Sequence, residues 1–223
     1  MNVAPVRSRI AAAAVRAGRS PDEVRIVAVT KGHPLERAQE AVAAGLIDLG
    51  ENRVQEALSK QDAWPGAAVR WHLIGHLQRN KVKQVVGRFV LVHSLDSERL
   101  ADALEAAAAA AGVVQEVLVQ VNVARETQKT GVQPEQAAAL VRHAAAQPHL
   151  AVCGLMAMAP YGAAAEAQRA VFGGLRRMRD ALATSSLELA VLSMGMSDDF
   201  EVAVEEGATL VRLGTVLFGE RTS

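Results

Sequence analysis

Lys31 is the residue of this sequence best suited to covalent chemistry. It follows the apolar run IVAVT, residues 26–30, without a gap. A lysine at the end of a buried strand is partly desolvated, which favours its neutral amine, and that amine can attack a carbonyl carbon to form a Schiff base. The alternative is a lysine that ends a strand and points to solvent. This motif alone does not separate the two interpretations.

Two segments near the C-terminus have the composition of a phosphate-binding site. They are LSMGMSDD at residues 192–199 and RLGT at residues 212–215, and each follows or ends an apolar run. Backbone N–H groups of such loops, and of helix N-termini, bind phosphate in many barrel enzymes. The hydroxyl-bearing and glycine positions are Ser193, Ser197, Thr215, Gly195 and Gly214. Ordinary Ser/Gly turn chemistry is the alternative interpretation.

Strand and helix patterns alternate along the whole chain. Short β-branched runs are separated by longer Ala-rich segments, which is typical of a parallel sheet with helical crossovers. The predicted strands are residues 25–30, 46–49, 69–74, 89–93, 114–121, 150–155, 187–192 and 210–213. The predicted helices are residues 35–44, 53–61, 78–86, 97–111, 134–146, 163–183 and 198–206. Gly45, Gly112 and Gly207 stand where helices end on a left-handed residue, and Asp198 with Glu201 predicts a capping box.

Eight strand–helix units favour an α/β fold, a single (β/α)8 TIM barrel. We expect one domain over residues 1–223, with an extra N-terminal helix at residues 6–17 that covers the bottom or an edge of the barrel. The length lies within the range of this fold, roughly 200 to over 400 residues. A doubly wound open sheet is the alternative, but it favours a glycine-rich loop where this chain has TKGHP, residues 30–34. In a barrel, Lys31 and the two candidate phosphate-binding segments lie at the same mouth.

Composition excludes several classes of function. The chain has 24 basic and 24 acidic residues, so its net charge is zero and no basic surface for nucleic acid or anionic membrane is expected. A single cysteine excludes an intrachain disulfide. The N-terminal residues lack the apolar core of a signal peptide, and the Ala tract at 106–111 is too short to cross a bilayer. We therefore expect a soluble, cytoplasmic protein.

Six ordered motifs resemble one known family, the pyridoxal 5′-phosphate (PLP) homeostasis proteins. The motifs are VAVTK at 27–31, GENRVQE at 50–56, WHLIGHLQRNK at 71–81, HSLDS at 93–97, LSMGMSDD at 192–199 and VRLGTVLFG at 211–219. The resemblance covers nearly the whole chain. It implies a fold-type III PLP-binding barrel, similar to the N-terminal domain of alanine racemase without the β-rich second domain of that enzyme.

The resemblance also implies a role for individual residues. Lys31 matches the lysine that binds PLP as a Schiff base, and Asn52 matches a residue beside the cofactor ring. Arg212 matches the arginine that faces the pyridine nitrogen, and His72 lies close to the site. Positions matching the surroundings of the phosphate are Ser193, Ser197, Gly214 and Thr215, while Met194 and Met196 match positions near the cofactor.

The identity of Arg212 bears on reactivity. A guanidinium stays protonated and can only donate hydrogen bonds, so it leaves the pyridine nitrogen unprotonated. PLP is then a weaker electron sink than it is beside an aspartate, and vigorous carbanion chemistry such as transamination is disfavoured.

The sequence is compatible with three functions. The leading hypothesis is a monomeric PLP carrier that buffers the cofactor, delivers it to apo PLP-dependent enzymes and affects amino-acid and keto-acid balance. The second is a PLP-dependent amino-acid racemase of weak activity, which needs another acid–base group opposite the lysine; Tyr161 is the single tyrosine of the chain. A Schiff-base aldolase without PLP is the third, and it leaves Arg212 without a purpose.

His72, His76 and Cys153 invite other interpretations. The two histidines lie on a strand-to-loop segment with no evident third ligand, so we expect hydrogen bonding or packing and no metal. Cys153 lies in the apolar run VCGL and is expected to be a small buried hydrophobe.

Overall fold

Eight parallel strands form a closed barrel in the part of the chain that the structure describes. The structure is a computed structural model, and it describes residues 1–66, 68–126, 128 and 130–220. Each strand pairs with the next one in sequence, and β8 closes the ring on β1. The strands are β1 (Arg25–Val29), β2 (Asp48–Glu51), β3 (Arg70–Leu73), β4 (Leu91–Leu95), β5 (Gln115–Gln120), β6 (Leu150–Met156), β7 (Val191–Ser193) and β8 (Leu210–Leu213).

Helices surround this barrel. They are α1 (Val3–Arg16), α2 (Leu35–Ala43), α3 (Val54–Ala63), α4 (Val82–Val85), α5 (Glu98–Ala111), α6 (Pro134–Ala145), α7 (Ala165–Leu182), α8 (Phe200–Glu205) and α9 (Thr215–Phe218). The first helix, α1, lies beside α8, where Arg9 pairs with Glu201 at 3.0 Å and Arg16 with Glu205 at 2.7 Å. Its buried face carries Val6 and Ile10.

The buried residues form two groups because successive side chains of a strand point to opposite faces of the sheet. The larger group fills the space between the barrel and the helices, and small Ala side chains let the helices approach closely. The smaller group fills the barrel interior. It comprises Val27, Leu91, Leu118, Met156 and Leu210.

The closed barrel predicted from the sequence is confirmed, and the open doubly wound sheet is wrong. The glycines predicted to end helices have left-handed backbones, with φ of +81° at Gly45, +66° at Gly112 and +102° at Gly207. The predicted capping box at Asp198 is wrong. The residue before α8 is Asp199, and its carboxylate accepts a hydrogen bond from the backbone N–H of Met196, which lies before the helix.

Candidate functional site

Lys31 lies at the C-terminal mouth of the barrel, two residues after β1. It has the same strand parity as Val27, whose side chain fills the barrel interior, and it is half-buried. A cavity of about 220 Å³ opens at this point, and its lining includes Lys31, Gly32, Asn52 and Glu56. The structure therefore brings together the lysine and the asparagine that the sequence singled out.

Asn52, which follows β2, packs directly against Gly75, which lies in the connection after β3. A Cβ atom on Gly75 would overlap both the backbone oxygen and Oδ1 of Asn52. The third sequence motif, WHLIGH, thus supplies a surface without a side chain on which Asn52 rests. Glycine is required here for close approach and not for an unusual backbone angle.

A buried lysine holds the backbone on one side of Lys31. Lys60 of α3 donates to the carbonyl oxygen of Thr30 at 2.8 Å, to Glu51 Oε1 at 2.7 Å and to Glu56 Oε1 at 2.9 Å. Glu56 Oε1 also accepts from the N–H of Gly32 at 2.6 Å. Both neighbours of Lys31 in sequence are therefore tied to one charged cluster.

The two carboxylates of this cluster differ in their electrostatics. Burial raises the pKa of Glu51, which is fully buried and accepts from Thr30 Oγ1 at 2.6 Å. For Glu56, burial also acts to raise the pKa, but the hydrogen bonds from Lys60 and Gly32 outweigh it and the pKa is lowered. Glu51 Oε2 has no hydrogen-bond partner within the described residues, so the cost of burying this oxygen is not offset by a hydrogen bond.

Arg212 is buried inside the barrel at the level of Val27, its partner in the β1–β8 register. Its guanidinium donates to Ser193 Oγ at 2.7 Å and to the carbonyl oxygen of Ala157 at 3.1 Å. Burial lowers the pKa of Arg212 to about 10, and the nearby charge of Asp199 opposes that shift. The group therefore remains a cation at neutral pH.

His72 is fully buried and belongs to the same interior network. Its Nε2 lies 2.8 Å from Asp48 Oδ1, and its Nδ1 lies 3.0 Å from Nε2 of His93. His93 in turn lies 2.8 Å from Ser193 Oγ, the atom that accepts from Arg212. Three residues predicted separately, His72, Ser193 and Arg212, are thus joined through His93.

The loops after β7 and β8 are tied together at the mouth. Ser197 Oγ accepts from the N–H of Val216 in α9 at 3.2 Å. Gly195 is required for two reasons: its φ is +92°, and a Cβ there would lie 2.6 Å from Ala203 Cβ. Gly214 differs: a Cβ there would be 3.6 Å from Val29, an ordinary contact, so packing does not require glycine at this position.

The remaining predicted residues occupy different surroundings. Thr215 is exposed at the start of α9, and Met196 is half-buried in the loop after β7. Met194 is fully buried in the core between barrel and helices, while Ser193 faces the interior, so their side chains lie on opposite faces. The roles of these residues toward a cofactor stay predictions.

The residues with tempting alternative roles lie elsewhere. Tyr161 is 90% exposed in the connection between β6 and α7. His76 pairs with Asp96 at 3.4 Å, whereas His72 contacts Asp48, so the two histidines have different carboxylate partners. Burial raises the pKa of Cys153 to about 11, so its thiol stays protonated and unreactive at neutral pH.

Sequence reasoning missed the residues that support the site. Lys60 and His93 were not singled out, although Glu56 and Lys60 form a helical i,i+4 pair and His93 opens the HSLDS motif. The i,i+4 spacing was a readable signal for the cluster. The contact of His93 with Ser193, 100 residues away in sequence, leaves no local signal.

Larger cavities lie at the opposite, N-terminal end of the strands. Their volumes are about 420 and 580 Å³, and Arg25 contributes to both. Size alone would place a site there, but the amine, the amide and the glycine loops converge on the other end. Catalytic and binding groups of barrel proteins also gather at the C-terminal ends of the strands.

Among the described helices, none is long and apolar enough to span a membrane.

A closed parallel barrel with a lysine two residues after β1 and a buried arginine in β8 defines a protein of the alanine racemase barrel class. The family model for the N-terminal domain of alanine racemase matches residues 2–222. The alanine racemase of Clostridium difficile superposes with a TM-score of 0.77 at 17% identity, over all of this chain and 57% of that one. At that identity the likeness concerns the fold alone.

Closer relatives define the family. The pyridoxal phosphate homeostasis protein of Aquifex aeolicus is 46% identical over 217 residues, 97% of this chain and 95% of the relative. PipY of Synechococcus elongatus, solved with PLP bound, is 37% identical with a TM-score of 0.84, over 96% of this chain and 100% of that one. The chain belongs to the family of pyridoxal phosphate homeostasis proteins.

Proposed function

We propose that this protein binds PLP as a Schiff base on Lys31 and acts in PLP homeostasis by buffering and delivering the cofactor. The observation that carries the proposal is the shared cavity of Lys31 and Asn52 at the mouth of a barrel whose interior presents Arg212. Support comes from a relative of 37% identity whose structure contains PLP, and from curated relatives of the same name.

The residues present fit this cofactor. PLP has an aldehyde, a pyridine ring and a phosphate, and each requires a different partner. Lys31 supplies the amine, and Arg212 supplies a donor-only partner for the ring nitrogen. For the phosphate we propose the joined loops after β7 and β8, which contain Ser197, Gly214 and Thr215.

When bound, PLP supplies an aldehyde and an electron-withdrawing ring. The residues of this chain hold and shield that group. Lys60 and Glu56 fix Thr30 and Gly32, so the Lys31 amine needs little reorganisation to meet a carbonyl. The cation of Arg212 would disfavour a proton on the ring nitrogen. A ring without that proton would be weakly activated, which suits storage better than turnover.

Racemase activity finds little support in the site. A two-base racemase needs an acid–base group on the ring face opposite the lysine. Tyr161 is almost fully solvent-exposed, so its hydroxyl is not held against a site. We therefore expect negligible racemase activity from this protein. Robust racemisation of alanine that depends on Lys31 would contradict this part of the proposal.

We further propose that the protein works in the cytoplasm as a monomer, that apo PLP-dependent enzymes receive its cofactor, and that residues 1–223 act as one domain. The half-exposed position of Lys31 supports exchange, because a cofactor bound there stays within reach of solvent and of a partner. The balanced charge of the chain gives no reason to expect nucleic acid as a partner.

The test is an absorbance spectrum of purified protein with added PLP, before and after borohydride. Wild type and the matched control Lys83→Ala, an exposed lysine of α4, are expected to show a long-wavelength Schiff-base band that borohydride removes irreversibly. Lys31→Ala is expected to show no such band. A band that persists in folded Lys31→Ala would move the attachment to another lysine, and no band in wild type would overturn the cofactor.

A further inference from the structure

Five buried side chains form one continuous hydrogen-bonded chain across the barrel interior. Arg212 of β8 contacts Ser193 of β7 at 2.7 Å, and Ser193 Oγ lies 2.8 Å from His93 Nδ1 on β4. His93 Nε2 lies 3.0 Å from His72 Nδ1 on β3, and His72 Nε2 lies 2.8 Å from Asp48 Oδ1 on β2. Each of the five residues is at most 7% exposed. We call this set the interior relay.

The two ends of the interior relay determine the direction of every hydrogen bond in it. A guanidinium only donates, and an ionised carboxylate only accepts. Because the carboxylate of Asp48 only accepts, His72 donates to it from Nε2. A neutral His72 then has a bare Nδ1, so His93 donates to it from Nε2, and the bare Nδ1 of His93 accepts the hydrogen of Ser193. This direction agrees with the other end, where Ser193 Oγ accepts from Arg212.

Burial and charge favour the neutral histidines that this direction requires. Burial lowers the pKa of His93 well below its usual value, and the charges of Arg212 and Arg25 act in the same sense. Burial also lowers the pKa of His72 and outweighs the opposite effect of Asp48. At the other end, the hydrogen bonds of His72 and Arg70 outweigh burial and lower the pKa of Asp48, which is therefore ionised.

We propose that Asp48, His72 and His93 are positioning residues for Arg212, acting through a chain of hydrogen bonds with one fixed direction. The chain turns the lone pair of Ser193 toward Arg212 and so fixes the plane of the guanidinium. Without it, the hydrogen bond from the guanidinium to the carbonyl oxygen of Ala157 stays, but the bond to Ser193 is no longer oriented. This inference rests on the proposed function, in which Arg212 faces the pyridine nitrogen of PLP.

The first test needs no cofactor. Nitrogen NMR of the imidazole rings, in wild-type protein without PLP, reports directly which ring nitrogen has the hydrogen. Both His72 and His93 are expected as Nε2–H tautomers from about pH 8 to 5.5, the range in which ordinary histidines gain a proton. An Nδ1–H tautomer or a charged imidazolium at either residue within that range would overturn the inference.

The second test perturbs one end of the interior relay and measures the other. Asp48→Asn is expected to shift the ring signals of His93, which Asp48 does not contact, and to weaken PLP binding about tenfold, as expected for loss of one charged hydrogen bond. Arg70→Gln removes another partner of Asp48 and leaves the relay intact, so both readouts should stay near wild type. Asp102→Asn breaks the separate His143 pair and is the second control.

The two tests separate this inference from the proposed function. PLP affinity unchanged in a folded Asp48→Asn variant would overturn the interior relay while PLP binding by Lys31 stands. Failure of wild-type protein to bind PLP would overturn the proposed function, and the histidine tautomers would still decide whether the relay exists. If Asp48→Asn does not fold, the wild-type tautomers decide the question alone.

Discussion

Lys60 shows how a single residue fixes the reactive end of β1. Its side chain is 8% exposed, and its ammonium group lies within hydrogen-bond distance of three acceptors, two of them carboxylate oxygens. An isolated buried ammonium would be strongly destabilised, so the group persists because Glu51 and Glu56 compensate its charge. The same contacts hold Thr30 and Gly32, and with them the backbone of Lys31.

Replacing Lys60 by methionine tests this support. Lys60→Met keeps the length of the side chain but leaves the buried carboxylate of Glu51 without its cation. Removing one partner of a buried ion pair costs about 3 kcal/mol, and we expect that loss in the free energy of unfolding measured with urea. PLP affinity should fall as well, because the Lys31 loop loses its anchor.

Two further variants decide the cause of such a loss. Lys83→Met changes an exposed lysine and is expected to shift the free energy of unfolding by less than about 0.5 kcal/mol. Adding Glu51→Gln to Lys60→Met removes the unpaired charge and should recover part of the stability. A single Lys60→Met variant as stable as wild type would show that the cluster does not support the mouth.

The connection after β3 acts as a platform for Asn52, and Gly75 is its critical position. Gly75→Ala places a methyl group where the backbone oxygen and Oδ1 of Asn52 now lie. Overpacking of this kind typically costs about 1–3 kcal/mol. We expect that loss of stability together with weaker PLP binding, measured by urea unfolding and by titration of the Schiff-base absorbance.

The control for Gly75→Ala is Gly87→Ala, at a glycine between α4 and β4. A Cβ there meets no atom within 4 Å, but its φ of +74° strains an alanine backbone. It should lose about 1 kcal/mol of stability and keep PLP affinity. Equal losses of affinity in the two variants would mean that stability, and not the position of Asn52, controls binding.

Elements of this fold were predictable because their signals are local. Alternating β-branched runs and Ala-rich segments predict strands and helices, and eight such units predict the barrel. Strand β7 shows the limit: residues 187–192 were predicted, but the strand is Val191–Ser193, and Leu187 instead bridges back to Thr184. An apolar run shows burial, but not whether its residues pair with a neighbouring strand.

The site was partly predictable for the same reason. Lys31 and Asn52 lie in continuous motifs that follow β1 and β2, so barrel topology alone places them near one mouth, and Arg212 lies in the continuous motif of β8. The interior relay joins residues that are 21, 24 and 100 positions apart. Such contacts depend on the register and closure of the whole barrel, which a linear pattern does not contain. The predicted capping box at Asp198 is wrong for a simpler reason: the residue directly before α8 is Asp199, one position later in the sequence.

Across the molecule, several titratable side chains are buried. Among the described residues of the barrel interior are Arg212 and the two histidines His72 and His93, and burial lowers the pKa of all three. Two buried carboxylates shift in the opposite sense, because burial raises the pKa of Glu51 and of Asp199. The raised pKa values of those carboxylates cost stability as the pH rises from about 4–4.5, the ordinary carboxyl range. The histidines act in the opposite direction and over a higher range, around their ordinary pKa of about 6.5.

Stability is therefore expected to decrease as the pH falls below about 6.5, the ordinary pKa of histidine. The unfolded chain then binds protons at His72 and His93, whereas the folded chain keeps both neutral, so protonation favours unfolding. Each histidine contributes a slope of at most about 1.4 kcal/mol per pH unit. Urea unfolding between about pH 7.5 and 5.5 measures the slope. The double variant His72→Gln/His93→Gln should flatten it, whereas His143→Gln/His149→Gln, at two partly exposed histidines, should leave the interior contribution unchanged. An unchanged slope in the folded interior variant would show that these histidines titrate alike in both states.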